Sequence, residues 1–179
     1  MHLTRSAPAT TTAALAGDPQ CWTDVDSILS GVSVQELSRY LFLAGGLLFL
    51  LLGTAHVVHT PQQPGERKGL SPADPGLAES MARSRVLLTG RTDMWRTWVG
   101  LNLSHSLGVF LLGLVVVLVG RTPASFAHNA AVFVPLAIAV SLAYLGLGLA
   151  YWFRTPIIGV GLSVLLFSCA WVFSLVGRQ

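Results

Sequence analysis

Four long apolar segments constrain the fold of this chain more than any other feature. They cover about residues 40–59, 95–119, 131–153 and 157–176. At ~1.5 Å per residue, helices of these lengths suit the ~30 Å hydrocarbon core of a bilayer. Charged residues make up only 11% of the chain, far below the roughly 25% that is usual in soluble domains. The sequence therefore predicts an all-α fold, a four-helix transmembrane bundle.

A polar extension precedes the first apolar segment. Residues 1–32 are rich in Ala, Thr and Pro and are predicted to be flexible, with the four-span membrane domain over residues 33–177. The extension lacks the apolar core of a secretory signal peptide. Ser33 and Glu36 have the spacing of a capping box, which predicts a helix that begins near Val34.

A polar connection, residues 61–94, separates the first two apolar segments and is rich in Pro and Gly. Its second half is predicted to form a short helix from Pro75 to Leu88, with Asp74 as the N-cap. One face of that helix would be apolar and would rest on the membrane surface. The side chains on this face are Leu77, Met81 and Leu88.

Lys and Arg residues near the span ends predict the orientation, because cytoplasmic loops carry an excess of positive charge. With four spans, the connection and the turn between spans 3 and 4 share one side of the membrane. That side carries seven basic residues: Arg67, Lys68, Arg83, Arg85, Arg91, Arg96 and Arg154. The opposite side carries four: Arg5, Arg39, Arg121 and Arg178. We expect a multi-pass protein of the cell membrane, with residues 61–94 cytoplasmic and both termini outside.

Polar side chains within the spans predict a site near the cytoplasmic edge. His56 and His59 fall in the last turns of span 1. Asn102 and His105 fall in the first turns of span 2. Ionisable residues inside a span are costly and usually face a bundle interior or a wet cavity. We therefore expect a pocket lined by His56, Asn102 and His105, and its rim would consist of His59, Tyr151 and Arg154.

Helical spacing assigns two faces to span 2. At about 100° per residue, Asn102 and His105 share one face. Gly100, Ser104 and Gly108 share another face. This second face has a small-xxx-small pattern, which is typical of surfaces where two membrane helices pack closely. The sequence therefore predicts that span 2 packs through its small residues and presents its polar residues to the pocket.

The histidines raise the alternatives of a metal or a haem site. His56 and His59 have no accompanying carboxylate in the spans, so they form a weak pattern for zinc, which usually takes four ligands. A b-type haem needs two histidines on facing helices, and His56 and His105 are the plausible pair. At ~1.5 Å per residue, His56 should lie ~5 Å below the membrane edge and His105 ~12–15 Å below it. This difference in depth counts against haem, and no cofactor or metal is predicted.

Three functions are consistent with this pattern. In the first, the pocket binds an amphiphilic small molecule, a lipid or a quinone, and Asn102 and His105 bond its polar head. In the second, the protein is a membrane-bound redox or lipid-modifying enzyme with His56 or His105 as a proton carrier. In the third, it is a structural or accessory subunit without a ligand, whose polar residues only fix helix packing; a homo- or hetero-oligomer is left open. A net charge of +3 without a long basic run argues against nucleic acid as a partner.

The stretch that opens span 2 carries a resemblance to a family. It reads MWRTWVGLNLSHSLG from Met94 to Gly108, and two further stretches look similar, Gly53-Thr-Ala-His56 and Tyr151-Trp-Phe153-Arg-Thr-Pro156. Over about residues 40–177 the chain resembles small bacterial four-span integral membrane proteins, a family with no assigned reaction. The resemblance implies a four-span fold and a membrane location. It implies no substrate and no catalytic residue.

Overall fold

The computed structural model describes residues 33–177. The predicted extension, residues 1–32, lies outside the described residues. The described chain forms, in order, α1 (Val34–His59), α2 (Pro75–Arg83), β1 (Arg85–Val86), β2 (Thr89–Asp93), α3 (Met94–Gly120), α4 (Pro123–Tyr151) and α5 (Arg154–Val176). Helices α1, α3, α4 and α5 are each long and apolar enough to cross a membrane. The predicted all-α four-helix transmembrane bundle is confirmed, and the protein is an integral membrane protein.

The bounds of α4 differ from the sequence expectation. The helix begins at Pro123 and not near Ala131, and it ends at Tyr151. Thr122 caps it, because the Thr122 hydroxyl accepts a hydrogen bond from the Ser125 N–H at 3.2 Å. Pro at the first helical position also suits a helix start. The dipeptide Thr122-Pro123, which indicates only the end of α3 in the sequence, therefore also starts α4.

Glycines on α1 and α3 bring the backbones of these two helices into contact. A Cβ atom added at Gly53 would lie 2.8 Å from the Phe110 nitrogen. A Cβ atom added at Gly113 would lie 2.6 Å from the Gly46 oxygen. Small residues between membrane helices generally serve such close approach. The contact brings the second half of α1 against the middle of α3.

The predicted packing surface of α3 is corrected by this arrangement. A Cβ atom added at Gly100 would have no described atom within 4 Å apart from the adjoining helix backbone, and Ser104 is exposed. Gly108 does meet a neighbour, because a Cβ atom there would lie 3.0 Å from the Tyr144 hydroxyl oxygen. The close approach to α1 uses Gly113, on another face of the same helix. Small residues occur on both faces of α3, and spacing alone does not tell which face meets a helix.

Aromatic rings fill the interior of the bundle, and buried hydroxyls join its helices. Phe42, Phe49 and Phe167 are fully buried. The ring centroid of Phe167 lies 5.6 Å from that of Phe42 and 6.2 Å from that of Phe49. The Ser38 hydroxyl on α1 donates to the Ala170 carbonyl on α5 at 2.7 Å. Because no water reaches such groups inside a bilayer, they must be satisfied within the protein.

Arg39 closes the end of the bundle that lies opposite the connection. Its side chain donates to the carbonyl of Gly120, the last residue of α3, at 3.2 Å. It also pairs with Glu36 one turn earlier on α1 at 2.6 Å. The last carbonyls of a helix lack partners within the helix. Arg39 therefore caps α3 while its own charge is balanced by Glu36.

The connection folds into a short helix followed by a hairpin. Helix α2 begins at Pro75 with Asp74 as its N-cap, as predicted, but it ends at Arg83 and not at Leu88. Leu87 and Leu88 form the two-residue tip between β1 and β2, where both side chains are almost fully exposed. The predicted apolar face of Leu77, Met81 and Leu88 therefore does not form, because Leu88 lies outside the helix.

Helix α2 packs against the first turns of α3. Ala78, Trp95 and Val99 are buried together, and Met81 packs on them. The Trp95 indole N–H also donates to the Gln62 carbonyl at 3.3 Å. Met81 therefore faces α3, and the first turns of α3 lie beside the connection, beyond the end of α1.

Glu66 folds the first part of the connection back over the end of α1. Its carboxylate accepts a hydrogen bond from the Gln62 N–H at 2.6 Å and pairs with Lys68 at 2.9 Å. The Gln62 N–H and then Lys68 hold the pKa of Glu66 below its usual value. Further along, the Leu70 N–H donates to the His59 carbonyl at 3.0 Å. The connection therefore lies against the last turn of α1.

Candidate functional site

His56 of α1 and His105 of α3 meet at the connection end of the bundle. Their ring centroids are 5.2 Å apart. The predicted difference in depth is therefore wrong. Its physical reason is that the first turns of α3 project past the end of α1, where Trp95 bonds to Gln62 and packs against α2. His105, well inside α3, thereby lies level with His56 in the last turns of α1.

Asn102 holds the ring of His56 in one orientation. The Asn102 side-chain N–H donates to the Trp98 carbonyl at 2.8 Å, so Oδ1 of the same amide is free to accept. The His56 Nε2–H donates to this Oδ1 at 3.0 Å. In a neutral imidazole one nitrogen donates and the other accepts, so His56 keeps an unshared electron pair at Nδ1. Asn102 acts on the site through His56 and lines neither of the cavities described below.

Two aromatic residues that are absent from the predicted pocket complete the cluster. Trp152 stacks on His105 with ring centroids 5.3 Å apart and an interplanar angle of 21°. Trp152 also lies 4.8 Å from the ring of His56. Tyr144 of α4 meets His105 edge-on at 5.3 Å. His105 is thus surrounded by rings from α1, from α4 and from the link between α4 and α5.

The break between α4 and α5 turns Trp152 inward. Helix α4 ends at Tyr151, and Trp152 has an extended backbone whose N–H donates to the Gly148 carbonyl at 2.9 Å. Aromatic residues at a span end usually mark the membrane interface, so the sequence does not separate Trp152 from Tyr151. Tyr144 lies one turn before Gly148, on the face of α4 that leads to Trp152. This spacing is the one signal in the sequence by which Tyr144 could have been added to the predicted pocket.

Tyr151 and Arg154, predicted for the rim, lie outside the site. Tyr151 is 82% exposed, and Arg154 is exposed at the start of α5. Neither residue lines either of the two cavities. Tyr151 is the last residue of α4 and faces outward, whereas the extended backbone of Trp152 turns the next side chain inward.

Two cavities adjoin this cluster of rings. The inner cavity has a volume of about 60 Å³, and His105 and Tyr144 line it. The outer cavity has a volume of about 200 Å³ and lies between the end of α1 and the start of α5. Four residues line both cavities: Leu52, His56, Trp152 and Pro156. The two spaces are therefore neighbours with a common wall.

The volumes decide what each cavity can hold. A water molecule needs about 10–15 Å³, whereas a cavity of about 150 Å³ admits benzene. The inner cavity, at about 60 Å³, has room for water but not for a ring. The outer cavity, at about 200 Å³, has room for a six-membered ring or a head group of similar size.

The polar groups of the inner cavity are suited to water. Within residues 33–177, no group hydrogen-bonds the imidazole of His105 or the hydroxyl of Tyr144. Both side chains line the inner cavity. Buried waters typically make about three hydrogen bonds to polar groups of this kind. Water in the inner cavity would therefore satisfy His105 and Tyr144.

His59 lies at the edge of the outer cavity, where a rim residue is expected. The His59 Nδ1–H donates to the Ala55 carbonyl at 2.7 Å, because a carbonyl oxygen can only accept. A neutral His59 therefore keeps its unshared pair at Nε2. The connection passes over the ring, since a Cβ atom added at Gly69 would lie 2.6 Å from His59 Cδ2. Gly69 thus allows the connection to lie against one edge of this imidazole, which stays exposed elsewhere.

The lining of both cavities is free of Lys, Arg, Asp and Glu. Within residues 33–177, no three His, Cys, Asp or Glu residues are grouped so that they could hold a metal ion. The side chains that can do chemistry here are imidazoles, a phenol, an indole and the hydroxyl of Thr155. Such a set supports hydrogen bonding and proton transfer.

Comparisons of the chain with protein-family models, with curated proteins and with solved structures find no match. The resemblance of residues 40–177 to small bacterial four-span membrane proteins stays a prediction.

Proposed function

We propose that this integral membrane protein binds the head group of a small amphiphile, a lipid or a quinone-type molecule, in the outer cavity. One observation supports the proposal above all: a mostly apolar cavity of about 200 Å³ at one end of the spans contains two histidines, His56 and His59. Ligand sites are generally apolar hollows in which a few polar groups fix the orientation of the ligand.

The surroundings of the outer cavity suit a molecule with an apolar tail. Ala55 and Phe153 line the cavity and are also exposed on the outside of the bundle, where lipid would contact them. The cavity is smaller than the roughly 300–1,000 Å³ of sites that enclose a whole drug-sized ligand. The proposal is therefore that the head group enters the cavity and the tail stays in the bilayer.

Mass spectrometry of the small molecules that co-purify with the full chain tests this proposal. We expect a stoichiometric amphiphile with the wild type and its loss in Trp152→Ala, which removes a wall common to both cavities. Tyr151→Ala is the matched control, since Tyr151 is 82% exposed and should not affect retention. Thermal unfolding distinguishes loss of ligand from loss of folding. A wild type without ligand, or equal retention by both variants, contradicts the proposal.

The roles of Asn102 and His105 in this proposal differ from the direct contacts predicted from the sequence. Asn102 orients His56, and His105 lines the inner cavity. We expect Asn102→Ala to weaken retention of the amphiphile because it releases the ring of His56. We expect His105→Ala to weaken it because it changes the inner cavity, which His56 also lines. If both variants retain the amphiphile and lose only thermal stability, Asn102 and His105 serve helix packing and not ligand retention.

A second candidate is a membrane-bound redox or lipid-modifying enzyme. It is favoured by His105 and Tyr144, which line the inner cavity next to the ligand site and have no hydrogen-bond partner within residues 33–177. An imidazole with an available nitrogen can carry a proton at physiological pH. If the protein is such an enzyme, the amphiphile bound to His105→Gln should differ in chemical state, and hence in mass, from the amphiphile bound to the wild type. Identical masses of the bound molecule in the two proteins argue against this candidate.

We also propose the orientation of the chain in the cell membrane. Seven basic residues on the connection side against four on the other support a cytoplasmic connection, with both termini outside. The outer cavity would then lie at the cytoplasmic edge of the bilayer. A ligand would approach from the inner leaflet.

A further inference from the structure

We infer that the head group bound in the outer cavity carries a hydroxyl group that donates a hydrogen bond, as in a phenol, a quinol or a glyceride. The inference rests on the proposed function and specifies the ligand chemistry of the same cavity. It follows from which imidazole nitrogens of His56 and His59 the protein already uses.

The N–H of His56 is committed to the protein. His56 Nε2 donates to Asn102 Oδ1 at 3.0 Å. The amide of Asn102 cannot be reversed, because its nitrogen donates to the Trp98 carbonyl at 2.8 Å and a carbonyl cannot donate in return. What a neutral His56 retains for a ligand is the unshared pair of Nδ1.

The N–H of His59 is committed in the same way. His59 Nδ1 donates to the Ala55 carbonyl one turn earlier at 2.7 Å. A neutral His59 therefore retains only the unshared pair of Nε2. Both histidines that line the outer cavity are hydrogen-bond acceptors toward anything that binds there.

A site whose imidazoles only accept selects a ligand that donates. A quinone carbonyl or an ether oxygen has no hydrogen to give, so neither can bond to His56 or His59. A hydroxyl donates to one imidazole and can also accept from a donor such as the indole N–H of Trp152 or the hydroxyl of Thr155, two residues that line the same cavity. A hydroxyl can therefore bond to an acceptor and to a donor of this lining at the same time, which a carbonyl or an ether oxygen cannot.

The lining also favours a neutral head group over an anionic one. Lys and Arg are absent from the residues that line the outer cavity. Phosphates and carboxylates are usually bound through the charged donors of those side chains. A neutral hydroxyl needs no such partner.

The test compares 4-dodecylphenol with 4-dodecylanisole, which has the same ring and tail but no hydroxyl hydrogen. The purified full chain is used in nanodiscs at about pH 8, where imidazoles are neutral. Empty nanodiscs correct for partition into lipid. We expect the wild type to bind the phenol about tenfold more tightly, because the anisole leaves the imidazole acceptors unsatisfied.

A third probe, 1-dodecanol, distinguishes the two sources of a hydroxyl. Binding as tight as that of the phenol supports the inference with a lipid-type alcohol as the ligand. Weaker binding of 1-dodecanol than of the phenol supports the inference with a ring hydroxyl as the ligand group, as in a quinol.

Histidine variants test whether the preference arises at these imidazoles. We expect His56→Phe and His59→Phe each to reduce the preference for the phenol over the anisole. His59 is exposed, so His59→Phe keeps the test valid even where His56→Phe disturbs folding. His128→Phe is the matched control, because His128 is an exposed histidine of α4 that lines neither cavity.

The outcomes separate the inference from the proposed function. Equal or reversed affinities of the wild type for phenol and anisole overturn the inference and leave the proposed function standing. An unchanged preference in both His56→Phe and His59→Phe also overturns it. Failure of all three probes to bind beyond the level of empty nanodiscs overturns the inference and the proposed function together.

Discussion

The hydrogen bond between Asn102 and His56 is the contact on which the geometry of the site depends. Asn102 uses both ends of its amide, with Nδ2 on the Trp98 carbonyl and Oδ1 on His56. His56 is thereby presented to both cavities with a defined tautomer. A polar contact between two spans of this kind typically contributes about 0.6 kcal/mol and at most about 1.7 kcal/mol.

Asn102→Leu keeps the volume of the side chain and removes the acceptor of His56. We expect the free energy of unfolding to fall by about 1–2 kcal/mol, because the His56 N–H loses its partner in an apolar setting. Ser104→Ala is the control: its exposed hydroxyl bonds only to Leu101 of its own helix, so its effect should stay within about 0.5 kcal/mol. Unfolding in detergent measures both variants, and wild-type stability of Asn102→Leu would argue against this contact.

Residue-level prediction from the sequence is good for polar groups and poor for aromatic ones. His56, Asn102 and His105 are identified because polar residues are rare in apolar spans, and the structure brings them together. Trp152 and Tyr144 are not identified, since aromatic residues are equally at home in a core and at a membrane interface. Whether a ring turns inward depends on the backbone of the link that carries it.

At the scale of elements, α1 is positioned by its backbone contact with α3. The contact runs through Gly46 and Gly53 on α1 and Gly113 on α3. It places the last turns of α1, and hence His56, beside the middle of α3, and hence His105. The contact between His56 and His105 depends on this packing, because His56 comes from α1 and His105 from α3.

Gly53→Ala tests the packing of α1 on α3. The added Cβ would lie 2.8 Å from the backbone nitrogen of Phe110, which cannot move alone. We expect a loss of about 1–3 kcal/mol in the free energy of unfolding, as is usual for overpacking. In contrast, Gly100→Ala meets no neighbour within 4 Å and should be neutral or stabilising by up to about 1 kcal/mol. Thermal unfolding compares the two, and equal effects would refute the assignment of the packing face.

Glu66→Gln tests whether the connection is held over the outer cavity. The Glu66 carboxylate bonds the Gln62 N–H and Lys68, and its pKa is lowered in the folded protein. A lowered pKa means that this stabilisation is present at neutral pH and is lost as the pH falls through the lowered pKa. We expect faster amide hydrogen exchange around Leu70 in Glu66→Gln at neutral pH, and a smaller difference from the wild type in acid. Equal exchange at neutral pH would count against this role.

The sequence predicts that each span exists, but it does not predict where every helix begins or how the segments between the helices fold. Apolar length alone predicts α1, α3, α4 and α5. The start of α4 is missed because Thr122-Pro123 serves as both a stop and a cap. The hairpin is missed because Leu87 and Leu88 continue an apparently helical pattern, whereas the helix ends at Arg83.

At the scale of the whole molecule, four crossings place all the site-forming ends on one side. The end of α1, the link between α4 and α5 and the connection all contribute to the lining of the outer cavity. The orientation of the bundle therefore decides from which leaflet the proposed amphiphile would approach. Because basic residues are in excess on the connection side, we predict that the amphiphile approaches from the cytoplasmic leaflet.

Thiol labelling of single cysteines checks this orientation. In a chain whose own cysteines are replaced, Gln63→Cys probes the connection and Arg121→Cys probes the turn between α3 and α4, both at exposed positions. We expect an impermeant maleimide to label Arg121→Cys in intact cells and to label Gln63→Cys only after permeabilisation. The reverse pattern would show that the connection lies outside.

Native mass spectrometry of the intact protein released from nanodiscs tests most directly whether the outer cavity holds the head of an amphiphile. Leu52 lines both cavities, so Leu52→Trp fills them, whereas Leu51, next in the chain, is 66% exposed and Leu51→Trp is the matched control. We predict one bound amphiphile on the wild type and on Leu51→Trp, and none on Leu52→Trp. The same adduct on all three proteins, or none on the wild type, would contradict the assignment of the outer cavity as a ligand site.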